Sequence, residues 1–97
     1  MGLDISNKML NNIFPEVSYA VERECNSSWY LTKTTLDFHN FMLIYDGEGT
    51  FFRNGIRFTA KKGDLVYYKP GDIRESYSSK TFPMKCYAVE FFILALF

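Results

Sequence analysis

Between residues 47 and 72 the chain signals a change of direction every few residues. Gly47 and Gly49 flank Glu48, Asn54 precedes Gly55, Lys62-Gly63-Asp64 follows, and Pro70-Gly71-Asp72 closes the series. Asn-Gly is the strongest of these signals, because both residues tolerate the positive φ of a type I′ hairpin turn. Turns spaced by about ten residues leave room for strands but not for crossover helices, so they specify a sandwich or barrel and exclude βαβ units. "TFFR" and "IRFTA" are therefore predicted to form a hairpin around Asn54-Gly55, and "GDLVYYKPGDIRESY" reads as strand, turn and strand.

Composition supports an all-β reading. Of the 97 residues 19% are aromatic, and ring side chains pack well on a pleated, half-buried surface. A chain of this length holds one small domain. "VSYAVERE" (17–24) alternates Val17, Tyr19 and Val21 with smaller or charged residues, "SSWYLTKTT" opens a second strand, and "MKCYAVEFF" supplies the last. "NFMLIYD" (40–46) is apolar almost throughout and is expected to be central, with both faces covered. Near the start, Asp4 can cap a short helix with Ile5, Met9 and Ile13 on one face, which Pro15 would end.

The charge balance narrows the function. Eleven basic and eleven acidic residues cancel, so this segment has no electrostatic footprint for a phosphate backbone. Two cysteines, Cys25 and Cys86, do not make a disulfide framework, and no signal peptide is evident; a reduced, cytoplasmic chain is expected. "MGLDIS" and the sequon at Asn26 are short patterns that arise readily by chance. The closing run "FFILALF" is far shorter than the roughly 20 residues of a membrane helix.

With these elements in order, "NFMLIYDGEGTFFRNGIRFTAKKGDLVYYKPGDIRESY" followed by "MKCYAVEFF" resembles the cupin-like amino-terminal domain of AraC-type transcription regulators. The similarity spans roughly residues 28 to 92, and it lies in the order of the pieces rather than in any one of them. It implies a jelly-roll barrel that binds a small polar effector, a sugar or an organic acid, and that dimerises. DNA binding would then belong to a separate helix-turn-helix domain with no room in this chain. The terminal "FFILALF" reads as an unpaired apolar edge strand, as in a fragment of a longer regulator.

By the same resemblance, metal-binding cupins would place a carboxylate at Asn40, two histidines among Lys33, Thr34, Thr35 and Leu36, and a further histidine at Arg74. None of these positions holds a histidine or carboxylate, and a permanently charged guanidinium repels a cation, so no metal and no cofactor are expected. His39, beside Asn40, should point to the opposite face of its strand.

Arg74 is instead suited to carboxylate, phosphate or hydroxyl oxygens, unless it merely pairs with Glu75, Asp72 or solvent at the rim. Trp29 and Tyr30 could cover a ligand by stacking, or Trp29 could belong to the core. Only one of Tyr67 and Tyr68 can face inward, and Tyr68 is the candidate carried forward. Glu90 interrupts an apolar strand; it is either solvated or held inside by Arg74 or Lys33. The candidate site is thus Arg74, Trp29, Tyr30, Lys33, Asn40, Tyr68 and Glu90. No nucleophile and base can be assembled around either cysteine, so a binding module is expected rather than an enzyme. The alternatives are a small metal-free cupin enzyme and a dimerisation module without a ligand.

Overall fold

A computed structural model describes residues 13–95. The expected helix near Asp4 lies outside them, except that Ile13 already belongs to a strand. The strands are β1 (Ile13–Glu24), β2 (Tyr30–Thr35), β3 (His39–Asp46), β4 (Glu48–Arg53), β5 (Ile56–Lys61), β6 (Leu65–Tyr68), β7 (Ile73–Ser78) and β8 (Lys85–Ala95). They pair into two antiparallel sheets, in the orders β1-β8-β3-β6 and β2-β7-β4-β5. No helix occurs among the described residues.

The turn chemistry explains the connections. Asn54 and Gly55 take φ values of +52° and +82°, as the hairpin between β4 and β5 requires. Gly47 is needed for a second reason besides its φ of +68°: a Cβ there would lie 2.0 Å from the carbonyl oxygen of Pro83. Any side chain would push the β3–β4 turn away from the loop that leads into β8.

Alternation then decides what enters the core. Met42 and Ile44 on β3, Val66 and Tyr68 on β6, Cys86 and Ala88 on β8 meet Phe51 on β4 and Ala60 on β5. Phe51 is fully buried and stacks on Phe58 at 5.6 Å; burying such a ring contributes roughly 1.5–3 kcal/mol.

Two expectations need correction. β3 is interior, between β8 and β6, but only one of its faces is fully covered. Its outward residues His39, Phe41, Leu43 and Tyr45 are half-buried or exposed, with Leu43 43% accessible. An apolar run does not separate a doubly buried strand from one whose outer face carries a cross-strand aromatic ladder, here Tyr67, Phe41, Phe91 and His39. The second correction concerns the closing apolar run. Residues 91–95 are not an unpaired edge, because the start of β1, from Ile13 to Val17, pairs with them. The edges of this sheet are β1 and β6.

A polar cavity between the sheets

Cross-strand register sets the site. Asn40 on β3 lies opposite both Glu90 on β8 and Tyr68 on β6, so all three belong to one row across the inner face of the first sheet. On the other sheet Arg74 of β7 faces Arg53 of β4 and Thr34 of β2. Where the two inner faces meet, a cavity of about 50 Å³ is lined by Arg23, Trp29, Leu31, Asn40, Met42, Arg74, Ala88 and Glu90.

Four of the candidate residues, Arg74, Trp29, Asn40 and Glu90, therefore meet in one place. Glu90 faces inward, toward Arg74, as one of the two alternatives had it. Trp29 precedes β2 and serves both ideas about it: it packs against the core and also walls the cavity. Its other side borders an outer groove with Tyr30 and Tyr77.

The remaining three lie elsewhere. Tyr30 is half exposed and its hydroxyl donates to Glu75 on the outer surface; that hydrogen bond raises the pKa of the phenol. Lys33 is exposed and does not line the cavity. Simple alternation from Leu31 would turn Lys33 inward, but the β2–β7 register shifts between Leu31 and Thr34, and that irregularity breaks the phase. Tyr68 is the inward member of its pair but sits in the core at the end of the row, where its hydroxyl donates to the Phe52 carbonyl at 2.9 Å. Burial, opposed by nearby Arg53 and Arg74, pushes its pKa up to about 12 and keeps it a neutral donor.

Arg23 was not among the candidates, although a signal for it exists. Val21 turns toward the core, and Arg23 continues its phase two residues on. Its guanidinium donates to the Tyr19 hydroxyl and lies 5.3 Å from that ring.

The cavity is polar and incompletely satisfied. Among the described residues, the buried side-chain atoms without a hydrogen-bond partner are Arg23 Nε, Asn40 Oδ1, Arg74 Nε and Ser76 Oγ, and the first three belong to residues that line it. Asn40 Nδ2 reaches only the Val89 carbonyl, at 3.5 Å. Burial lowers the pKa of Arg74, against the opposing pull of Glu90 and Tyr68. No ion pair within 4.0 Å ties Arg74 or Arg23 to Glu90 among the described residues. Buried polar groups in folded proteins are nearly always paired, with protein groups or ordered water, and these three unpaired atoms surround one hollow.

The donor set does not suit the metal of metal-binding cupins. Two guanidiniums, one amide and a single carboxylate meet here, whereas divalent cations are held by neutral imidazoles and carboxylates. Among the described residues no three His, Cys, Asp or Glu side chains are grouped to hold an ion. His39 lies on the outer face as expected, stacked on Phe91 at 4.9 Å and hydrogen-bonded to Tyr67 at 2.7 Å. It is therefore not a partner for Cys25 or Cys86, which are buried, unbridged thiols. The hydrogen bond between those thiols raises the pKa of Cys25 and lowers that of Cys86.

Two four-stranded sheets closed over a small polar cavity define a cupin-type ligand-binding barrel, and solved structures share that fold. A cupin 2 conserved barrel domain protein from Salinispora arenicola superimposes with a TM-score of 0.66 at 16% identity, over 82% of this chain and 76% of that one. A predicted oxalate decarboxylase from Thermotoga maritima gives 0.69 at 15% identity, over 99% and 76%. A double-stranded β-helix protein from Klebsiella pneumoniae gives 0.64 at 17% identity, over 88% and 86%. At such identities the likeness concerns the fold alone. No match was found among curated proteins. The sequence itself matches the family model of the AraC-like ligand-binding domain over residues 16–95, so the chain belongs to that family. No helix among the described residues is long and apolar enough to cross a membrane.

Proposed function

We propose that this chain is the effector-sensing module of an AraC-type transcription regulator, and a binding module rather than an enzyme. The effector is a small polar organic molecule, a sugar or an organic acid, held between the sheets with Arg74 as its principal donor and Trp29 as its wall. The observation that carries this reading is the convergence of three unpartnered buried polar atoms on one cavity; membership of the ligand-binding family supports it. The cavity lining offers one carboxylate, Glu90, and no imidazole, which does not make the set of groups that a cupin enzyme would use to hold a metal. Contacts with DNA belong to a separate helix-turn-helix domain of the regulator, which works in the cytoplasm.

The sensing module also self-associates. The outer face of the β1-β8-β3-β6 sheet exposes Leu43, Leu65, Tyr67, Tyr87 and Ile93, a contiguous apolar surface of the kind that marks protein contacts. Light scattering over a concentration series should show a dimer that a Leu43→Lys, Tyr87→Lys variant abolishes.

A thermal-shift screen of sugars and organic acids against the parent, Arg74→Ala and Trp29→Ala tests the binding site. Stabilisation of the parent that both substitutions weaken supports it. Hits indifferent to both substitutions would place binding elsewhere, and a screen without hits would favour the ligand-free dimerisation module.

A further inference from the structure

The cavity carries more information than its polarity. Its lining brings two guanidiniums, Arg23 and Arg74, against one carboxylate, Glu90, which leaves one unit of positive charge in a partly buried space. Arg23 and Arg74 repel one another, and the pKa of Arg74 falls partly for that reason. A monoanion would remove the imbalance, and burial strengthens its attraction to both cations.

The unpartnered atoms specify the rest of the ligand. Arg23 Nε and Arg74 Nε are donors in search of acceptors, whereas Asn40 Oδ1 is an acceptor in search of a donor. Glu90 adds a second acceptor on the same wall, directly across from Asn40. The molecule that completes this set presents anionic oxygens to one side and an O–H or N–H to the other.

Size is the third constraint. One water needs roughly 10–15 Å³ of cavity, and drug-sized ligands occupy sites of about 300–1,000 Å³. At about 50 Å³ the hollow holds a body a few heavy atoms across. A pyranose ring does not fit unless the sheets part.

Resting on the reading of this cavity as the effector site, we infer that the effector is a small monocarboxylate with a hydroxyl on the adjacent carbon, a 2-hydroxy acid. Arg23 and Arg74 grip its carboxylate while Asn40 Oδ1 and Glu90 accept from its hydroxyl. Arg23 then determines specificity: it converts a site for neutral hydroxyls into one that demands an anion.

Isothermal titration of the full chain with glycolate, glycine, acetate and arabinose separates the possibilities. Glycolate should bind at least tenfold more tightly than acetate and than glycine, whose zwitterion brings no net charge, and arabinose should not register. Glycine binding as tightly as glycolate would overturn the net-charge argument. Arg23→Met and Arg74→Met should each weaken binding at least tenfold, with circular dichroism confirming that both fold. Glu90→Gln guards against a purely structural loss, because it should narrow the preference for glycolate over acetate while binding of acetate itself improves.

Equal affinity for acetate and glycolate would overturn the donor requirement. Binding of arabinose that depends on Arg74 but not on Arg23 would overturn the anion inference and leave the sensing function standing. If none of the probes binds, and a wider screen of sugars and acids is also silent, both readings fail.

Discussion

Arg53 and Arg74 face each other on neighbouring strands of one sheet, yet the structure treats them in opposite ways. Arg53 donates to the Tyr67 carbonyl, lies 4.9 Å from the Phe58 ring and 5.2 Å from that of Tyr68, and approaches Asp72 at 3.9 Å. Asp72 itself is a buried carboxylate whose oxygens accept from the Lys69 amide at 2.9 Å, the Lys69 ammonium at 2.8 Å and the Asn54 amide at 3.2 Å. Asn54 completes the knot, because its carbonyl oxygen accepts from the Ile73 amide at 2.8 Å. Arg74 has a ring 6.0 Å away, an uncompensated Nε, and no carboxylate within ion-pair reach among the described residues.

Arg53 itself is 40% exposed, and the burial cost falls on Asp72 and on Arg74; what differs is whether the protein itself meets it. A satisfied buried charge ties elements together, here the β4–β5 hairpin to the turn between β6 and β7. An unsatisfied one costs stability, and under the proposed function a bound ligand offsets that cost.

The largest test of that contrast is Asp72→Ala. It strands the Lys69 amide and the Asn54 amide and should cost about 2–3 kcal/mol in urea denaturation; a loss below about 0.5 kcal/mol would show that the knot is ornamental. Acid should reveal part of the same energy. Burial alone would raise the pKa of Asp72, but the hydrogen bonds from Lys69 and Asn54 outweigh it and hold the carboxyl below its ordinary value. The unfolded chain therefore takes up this proton first, so the contribution is complete above about pH 4 and fades as the pH falls through the folded value. Denaturation midpoints from pH 6 to 2.5 should fall more steeply for the parent than for Asp72→Asn, and equal slopes would mean that other carboxylates govern acid stability.

Tyr68 stands at the border of the two regions, tied to Phe52 but lying along the row of Asn40 and Glu90. Tyr68→Phe should cost about 1 kcal/mol, the loss of one buried hydrogen bond, and should leave ligand binding within twofold. A large loss of binding at unchanged stability would move Tyr68 into the site.

The smallest expected effect on the unliganded fold is the most telling. Arg74→Met removes a buried charge the protein does not satisfy, so stability should stay level or rise by about 1 kcal/mol, while binding is lost. Destabilisation beyond about 2 kcal/mol would place Arg74 in the same class as Arg53 and dissolve the comparison.

Much of this was legible before any fold was known. The Asn54-Gly55 turn, the Pro70-Gly71 turn and the alternation around them are local matters of φ and side-chain parity, and each strand they delimit is present. Counting from Gly47 by resemblance put Asn40 and Arg74 at inward positions, and they do line one cavity. Lys33 failed the same count because an irregularity in β2 breaks alternation, and no residue in "YLTKTT" announces it. Arg23 looked like one charge among several in "VERE", although its phase with Val21 was there to be read.

What sequence by itself determined is therefore the set of strands, their turns and, outside the irregular stretch of β2, the alternation of side chains, since these depend on neighbours within a few residues. Only the tertiary structure decided that Glu90 points at Arg74, that Arg23 joins them, and that Arg53 rather than Arg74 approaches Asp72. Those outcomes depend on which strands pair and in what register, across separations such as that between Arg23 and Cys86. A shift of one residue in any of these pairings would reverse the faces. Charge and shape in the cavity are properties of that registration, to which β1, β3, β7 and β8 contribute from the whole length of the described chain.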